Sequence, residues 1–202
     1  MVNLTDLERD ALTELVNIGV SRSATNLSRM LSEQVLLSVP SVDIVSRSEA
    51  ARLVAAGRRD RFVAVGQSFE GSFAGRALLI FPEESSHELT HSLLDGAHGQ
   101  DVAEELEQDA LKEVGNVILN GCLAVVANTL RENLDIKIPY VARGDAFQIF
   151  GEESAPEGLV IFLYVDFSVK SRSIRGYIAL AIEQLSIEQM KTMVNSYITN
   201  VL

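Results

Sequence analysis

Apolar side chains recur every three or four residues in two long stretches of this chain, the spacing of an amphipathic helix. Thr5 with Glu8 makes a capping-box pattern at the start of the first stretch, and Asp101 with Glu104 marks the start of the second. Each stretch is therefore predicted to form a long helix with one buried face. The predicted buried positions are Leu12, Leu15, Val16, Val20, Leu27, Met30 and Leu31 in the first helix, and Leu111, Val114, Ile118, Cys122, Val125 and Val126 in the second.

A segment rich in β-branched residues follows each long helix. Residues 35–45 contain Pro40, and residues 136–141 contain Pro139. Longer strand pairs are predicted around a turn at Glu70 and Gly71, and again over residues 158–168 and 172–182. Shorter helices are predicted from Ser48 to Gly57, from after Pro82 to Gly96, and from about Ser186 onward.

The same order of predicted elements occurs twice, which suggests an internal repeat with halves 1–98 and 99–202 inside a single domain, 1–202. Short turns between the long strands favour antiparallel pairing, and the helices need a sheet on which to bury their apolar faces. The predicted fold class is α+β: two pseudo-symmetric halves, each a long helix plus antiparallel strands, forming a sheet covered by helices.

Composition narrows the possible partners and location. The chain has 202 residues, 47% of them apolar, and a formal net charge of -11. An acidic chain without a basic patch is a poor candidate for binding nucleic acid. The longest apolar run, residues 159–165, is too short for a membrane span, and residues 1–10 lack the basic start and apolar stretch of a signal peptide. A single cysteine, Cys122, suits a reducing cytoplasm, and its place on an apolar helix face predicts a core thiol.

One octapeptide occurs in both long helices, as DALTELVN from Asp10 and DALKEVGN from Asp109. Its polar members are spaced so that they form one stripe on each helix, which we predict to be solvent-exposed. In both copies 22 residues separate the asparagine from the following proline. Asparagine costs about 0.5 kcal/mol relative to alanine inside a helix, so its recurrence there favours a functional role. The two stripes are Asp10, Glu14, Asn17 and Ser21, and Asp109, Glu113, Asn116 and Asn120.

The pattern of an acidic residue, Glu, Asn and a distant Pro resembles the signature of the CheC/CheX/FliY phosphatases, which act on the chemotaxis response regulator CheY. The two copies make the likeness to CheC the strongest, and the resemblance implies a CheC-like fold. It implies two active sites, with no cofactor of their own and with Mg²⁺ supplied by the regulator. It also implies phosphorylated CheY as substrate and CheD as a further partner. The implied catalytic residues are Glu14, Asn17, Glu113 and Asn116, with Asp10, Asp109, Pro40 and Pro139 completing the motif.

Three questions stay open at this level. Asn17 is followed by Ile18 and Gly19 as in much of the family, but Asn116 is not followed by Ile-Gly, so the relative activity of the two sites is open. A non-catalytic adaptor that binds CheY or CheD would use the same surfaces. The segment HELTH, from His87 to His91, fits the zinc-peptidase pattern H-E-x-x-H, but His98 is a poor third ligand, so no metal site is predicted.

Overall fold

One order of elements, helix, two short strands, short helix, two long strands and helix, occurs twice along the chain. The computed structural model describes residues 4–56, 60–93, 104–151, 158–169, 172–182 and 184–201. The first series is α1 (Asp6–Leu31), β1 (Val35–Ser38), β2 (Val42–Ser46), α2 (Arg47–Ala55), β3 (Phe62–Gly71), β4 (Gly75–Pro82) and α3 (Glu83–Leu93). The second series is α4 (Glu104–Leu130), β5 (Leu134–Ile136), β6 (Tyr140–Gly144), α5 (Ala146–Phe150), β7 (Leu159–Val169), β8 (Arg172–Ile182) and α6 (Gln184–Val201).

All eight strands join one antiparallel sheet, in the order β1-β7-β8-β4-β3-β5, with β2 also paired to β7 and β6 also paired to β3. The α+β prediction is confirmed. The short strands are exchanged between the two series: β1 and β2 lie beside a long strand of the second series, and β5 and β6 beside one of the first. The predicted boundary between residues 98 and 99 falls outside the described residues.

The helices form layers on both faces of the sheet. On one face α1, α4 and α6 cover the larger core, which includes Leu27, Ile118 and Met190. On the other face the short helices α2 and α5 cover a smaller core around Phe150 and Phe162. Helix α5 was not predicted from sequence, although it begins with a capping box from Asp145 to Gln148. At five residues it is too short to show an apolar period.

The two long helices pack against each other where glycines permit close approach. A Cβ atom at Gly19 would lie 2.6 Å from Gly121 O and 2.9 Å from Cys122 Cα. Ser23 Oγ lies 3.0 Å from Gly19 O on its own helix and 3.0 Å from Val117 O on α4. Small residues at this crossing therefore bring the backbones of α1 and α4 together, and a hydroxyl can bridge them.

Some local predictions are confirmed by the structure and others are wrong. The capping box at Thr5 and Glu8 and the helix after Pro82 are present. The turn after β3 lies at residues 72–74, and Met30 is 38% exposed where a core position was predicted. The predicted helix ends at Gly57 and Gly96 and the start at Asp101 lie outside the described residues.

The two motif prolines do not lie inside strands, as the sequence patterns suggested. Pro40 lies between β1 and β2, and Pro139 between β5 and β6. Proline has no backbone N–H to donate to a neighbouring strand, so it interrupts pairing. Each proline therefore divides what looked like one extended segment into two short strands.

Helix α4 satisfies the length and apolarity of a membrane span, by composition alone, and is the only described helix that does. More than half of its most apolar window, 56%, is buried within the fold. Its apolar face contacts α1 and the sheet, so its apolar character is accounted for by core packing.

Replacing Gly19 with alanine tests the close approach of α1 and α4. We expect Gly19→Ala to lower the free energy of unfolding by about 1 to 3 kcal/mol, because the new methyl group meets backbone atoms that cannot move aside. The melting temperature should fall by roughly 2 to 10 °C. Ser21→Ala, on the exposed side of α1, is the control and should stay within about 0.5 kcal/mol. A Gly19→Ala variant as stable as the parent would contradict this packing.

Candidate active site

The stripe on α1 has two exposed carboxylates and a half-buried carboxamide. Asp10 and Glu14 are exposed, and neither has a hydrogen-bond or ion-pair partner within the described part of the chain. Asn17 follows Glu14 at i+3, on the side of the helix that faces β1. The surface of α1 thus offers free carboxylates beside a carboxamide that is partly inside the protein.

Asn17 is bound to the backbone of the segment between β1 and β2. Its Nδ2 donates to Val39 O at 2.8 Å, and Val39 N donates to its Oδ1 at 2.8 Å. The prediction that this asparagine lies free on an exposed stripe is therefore wrong. In this copy the spacing from Asn17 to Pro40 places Val39, the residue before the proline, opposite the carboxamide. Pro40 itself is exposed.

The stripe on α4 repeats the Asp, Glu and Asn of the first stripe but has Asn120 in place of Ser21, and its residues have different partners. Glu113 is exposed and has no partner among the described residues, whereas the exposed Asp109 forms an ion pair with Lys112 at 3.0 Å. Asn116 is half-buried, so the exposed-stripe prediction is wrong here too. Its Oδ1 accepts from Gln67 Nε2 at 3.1 Å and from Asn120 Nδ2 at 2.8 Å. Within the described part of the chain, its Nδ2 has no partner.

The segments that carry the prolines differ sharply between the two copies. Val39 is 1% exposed, whereas Ile138, at the same distance before its proline, is 88% exposed. Tyr140 packs against Gly66 and remains 38% exposed. Ile138 therefore lies in solvent near Asn116, since the carbonyl of its neighbour Lys137 shares Gln67 Nε2 with Asn116. The exposed side of α4 with this segment is called the second surface below. In the first copy the equivalent residue, Val39, is in the core.

Lys137 provides a positive charge next to this second surface. Its Nζ lies 2.6 Å from Asp135 Oδ2 and 3.6 Å from Glu70 Oε2. The hydrogen bond and charge of Asp135, followed by the charge of Glu70, raise the pKa of Lys137. Lys137 therefore stays protonated in the neutral range and is held among carboxylates.

Two buried carboxylates lie just before the octapeptides, and their contacts with other elements were not predicted: Glu8 was predicted only as a capping residue, and Glu107 was not singled out. Glu8 is 3% exposed and binds Asn195 Nδ2 at 2.7 Å and Lys191 Nζ at 3.5 Å, which ties α1 to α6. Burial acts to raise the pKa of Glu8, but hydrogen bonds from Thr5 and Asn195 and the charge of Lys191 outweigh it, so the pKa is lowered.

Glu107 is the second of these carboxylates and holds the same place in α4. It is 8% exposed and lies 3.0 Å from Arg143 Nη2 and 3.3 Å from His87 Nδ1. A signal for both existed in the sequence, since the repeat extends in front of the octapeptide as LERDALTELVN and LEQDALKEVGN. Gln67 was also missed, because it lies in a distant strand with no motif around it.

The residues of the HELTH segment and the cysteine lie apart from both stripes. His87 begins the segment on α3 and faces Glu107, while the side chain of His91 and all of His98 lie outside the described part of the structure. Among the described residues, no three His, Cys, Asp or Glu side chains are grouped to hold a metal ion. Burial raises the pKa of the Cys122 thiol to about 12, as suits a core residue.

Comparisons with known proteins identify similar sequences and similar solved structures. The family described as Chemotaxis phosphatase CheX matches residues 63–163, and the CheC-like family matches residues 7–44. The flagellar motor switch phosphatase FliY of Bacillus subtilis (strain 168) is 26% identical over 171 residues, which cover 83% of this chain and 44% of FliY. The CheY-P phosphatase CheC of the same organism is 25% identical over 139 residues, covering 67% of this chain and 66% of CheC.

The crystal structure of Thermotoga maritima FliY superimposes with a TM-score of 0.75 at 19% identity, and covers 100% of both chains. At this identity the likeness shows the fold. This chain spans less than half the length of the Bacillus FliY that it matches.

Alanine at the two asparagines should affect stability differently. Asn17→Ala is expected to cost about 1 to 3 kcal/mol, because it leaves the backbone N–H and C=O of Val39 without their partners. Asn116→Ala should cost about 1 kcal/mol or less, because Gln67 Nε2 keeps its contact with Lys137 O and the half-buried Asn120 can bind water instead. Asn26→Ala, at an exposed position of α1, is the control. Thermal denaturation of the three variants checks this, and a neutral Asn17→Ala would show that the contact with Val39 does not stabilise the fold.

Proposed function

Because this chain belongs to the CheC/CheX/FliY family of chemotaxis phosphatases, we propose that it hydrolyses the aspartyl phosphate of a CheY-type response regulator. The observation that supports this most directly is on α4. There the exposed carboxylate of Glu113 lies one turn from the amide nitrogen of Asn116, which has no partner among the residues that the structure describes. The relatives described as phosphatases of FliY and CheC type agree with this reaction class.

The proposed reaction needs no nucleophile from this chain. Water forms a bond to phosphorus, the bond from phosphorus to the aspartyl oxygen breaks, and its electron pair returns to the carboxylate. Both protons of the water leave on the released phosphate. Hydrolysis of this kind depends on placing water in line and stabilising charge. Asn116 would hold the water through its N–H groups, because a neutral amide adds no negative charge beside the phosphoryl group.

Glu113 has a different proposed task. An ionised carboxylate is an acceptor only, and it would repel a phosphoryl group at close range. We assign Glu113 to a cation of the regulator, such as an active-site lysine, which would fix the docked orientation. Asp109 and Lys112 lie nearby as an exposed ion pair. Any Mg²⁺ of the reaction is assigned to the regulator, with no cofactor held by this chain.

We propose that α1 supplies another docking surface, with a lower catalytic activity than the surface on α4. Glu14 and Asp10 are exposed there as their counterparts are on α4. Asn17, however, uses one N–H and one lone pair of its carboxamide on Val39. One N–H and one lone pair remain for a substrate, so catalysis at Asn17 is compatible with the contact but is expected to be slower than at Asn116.

A second candidate function follows from the same contact at Asn17. A non-catalytic adaptor would bind the regulator, or CheD, through the exposed carboxylates without needing free carboxamides. The engagement of Asn17 by the backbone favours this for the α1 surface. We assign either activity to the cytoplasm, in line with the single buried cysteine.

Decay of phosphorylated CheY, with and without the protein, tests the reaction. We expect Asn116→Ala to remove most of the added decay rate, Asn17→Ala a smaller part, and the double variant nearly all of it. Asn26→Ala and Asn128→Ala, exposed asparagines on the same two helices, should leave the rate unchanged. Rates are compared per folded molecule, below the lowest melting temperature. An unchanged decay with measurable binding would establish the adaptor, and full activity in the double variant would refute the site.

Zinc content tests the HELTH alternative. We expect no stoichiometric zinc by elemental analysis of the purified protein. His87→Ala should keep the phosphatase activity, since its contact with Glu107 lies outside the proposed site. One equivalent of zinc that is lost in His87→Ala or His91→Ala would instead support a metal site on α3.

A further inference from the structure

We propose that Gln67 is a positioning residue that turns the amide nitrogen of Asn116 toward the substrate. Gln67 lies on β3 and is 1% exposed, on the side of the strand that faces α4. It cannot contact a docked regulator from there, so any effect it has must act through Asn116. The effect of Gln67 on the reaction rests on the proposed function, but the orientation of the Asn116 carboxamide can be tested without a substrate.

The backbone fixes which atom of Gln67 faces Asn116. Gln67 Nε2 lies 3.3 Å from Lys137 O and 3.1 Å from Asn116 Oδ1. A backbone carbonyl can only accept a hydrogen bond, so the nitrogen of Gln67 must point toward it. The atom of Asn116 that meets this nitrogen must then be the oxygen. Asn120 Nδ2, at 2.8 Å from the same oxygen, agrees with that orientation.

The consequence is a carboxamide with defined polarity. Both inward donors are directed at Asn116 Oδ1, so the amide nitrogen is the atom that remains available. Flipping Asn116 would place its N–H groups against the N–H groups of Gln67, which cannot accept them. Asn116 therefore presents donors to a water or a phosphoryl oxygen, and Gln67 determines this choice.

A buried polar atom at Gln67 indicates that the position is not optimised for packing. Among the described residues, Gln67 Oε1 and Asn120 Oδ1 are both buried and have no hydrogen-bond partner. A buried acceptor without a partner destabilises a fold, so an apolar side chain would suit this core position better. A residue that is unfavourable for packing but useful for orienting a neighbour fits a positioning role.

The other copy of the repeat provides the natural comparison. Ile136 and Leu37 each lie three residues before a motif proline, and they pair with Phe69 of β3 and Phe167 of β7. Two residues earlier in each long strand, the equivalent positions are Gln67 and Val165. Val165 is 2% exposed and has no donor to offer Asn17. Asn17 instead takes both of its partners from the Val39 backbone.

Two substitutions at Gln67 test the orientation. Gln67→Val introduces the residue that β7 has at the equivalent position, Val165. Gln67→Glu keeps the shape and, at a pH above the pKa of the buried carboxyl, replaces the donor with an acceptor. Ser68→Val, the next strand position on the opposite face, is the matched control. In ¹⁵N spectra the pair of side-chain NH₂ signals of Asn116 is identified by its loss in Asn116→Ala. The chemical shifts of this pair should change in both Gln67 variants. In Gln67→Glu the pair should also exchange more slowly with water, because the nitrogen turns inward.

The rate of CheY-P decay then tests the role in the reaction. Asn116→Ala defines the part of the decay rate that depends on Asn116. We expect each Gln67 variant to lower that part at least about tenfold and to leave the affinity for CheY unchanged. The melting temperature of Gln67→Val should be equal to or above that of the parent. Combining Gln67→Val with Asn116→Ala should cause no further loss, because both changes act through one carboxamide.

The outcomes separate the two ideas. An unmoved NH₂ signal of Asn116 would overturn the proposal, and so would a moved signal with an unchanged rate. A parent protein that is inactive toward CheY-P would refute the proposed function. In that case the orientation of Asn116 would still be decided by the NH₂ signal. An equal loss of rate in Ser68→Val would assign the effect to general disruption of β3 and would also overturn the proposal.

Discussion

The packing of α1 directly on α4 determines where both polar stripes can lie. The backbones approach closely at Gly19 and Gly121, so the helices behave as one rigid layer over the sheet. With that contact fixed, the apolar faces point to the shared core, and the carboxylates of the two octapeptides point to solvent. The stripes are therefore held by the most buried part of the molecule, although their carboxylates are exposed. A site on rigid helices can keep its geometry without support from loops.

Much of this fold could be predicted from local patterns. Helical spacing and the capping box located α1, and alternating or β-branched runs located the long strands, because these features depend on neighbours in sequence. The exchange of short strands could not be predicted, since a four-residue strand such as β1 carries no signal for which long strand it will join. The five-residue helix α5 was missed for a similar reason.

The candidate site shows the same limit more clearly. The octapeptide identified Glu14, Asn17, Glu113 and Asn116, and the carboxylates are exposed as the pattern indicated. The partners of the asparagines could not be predicted, because Val39 and Gln67 reach them across the fold. Identical letters in the two copies consequently have different surroundings. Ile138 and Val39 occupy matching positions, yet one lies in solvent and the other in the core.

The exchange of short strands bears on how such a chain could arise. A single repeat would have long strands whose outer edge lacks its short partners, and short strands with no long strand of their own to join. Two identical repeats would satisfy each other, each giving its short strands to the other's long pair. The sheet thus has the topology of a strand-swapped homodimer whose subunits are joined into one polypeptide. Within one polypeptide the two copies need not be identical, so equivalent positions such as Gln67 and Val165 can carry different residues.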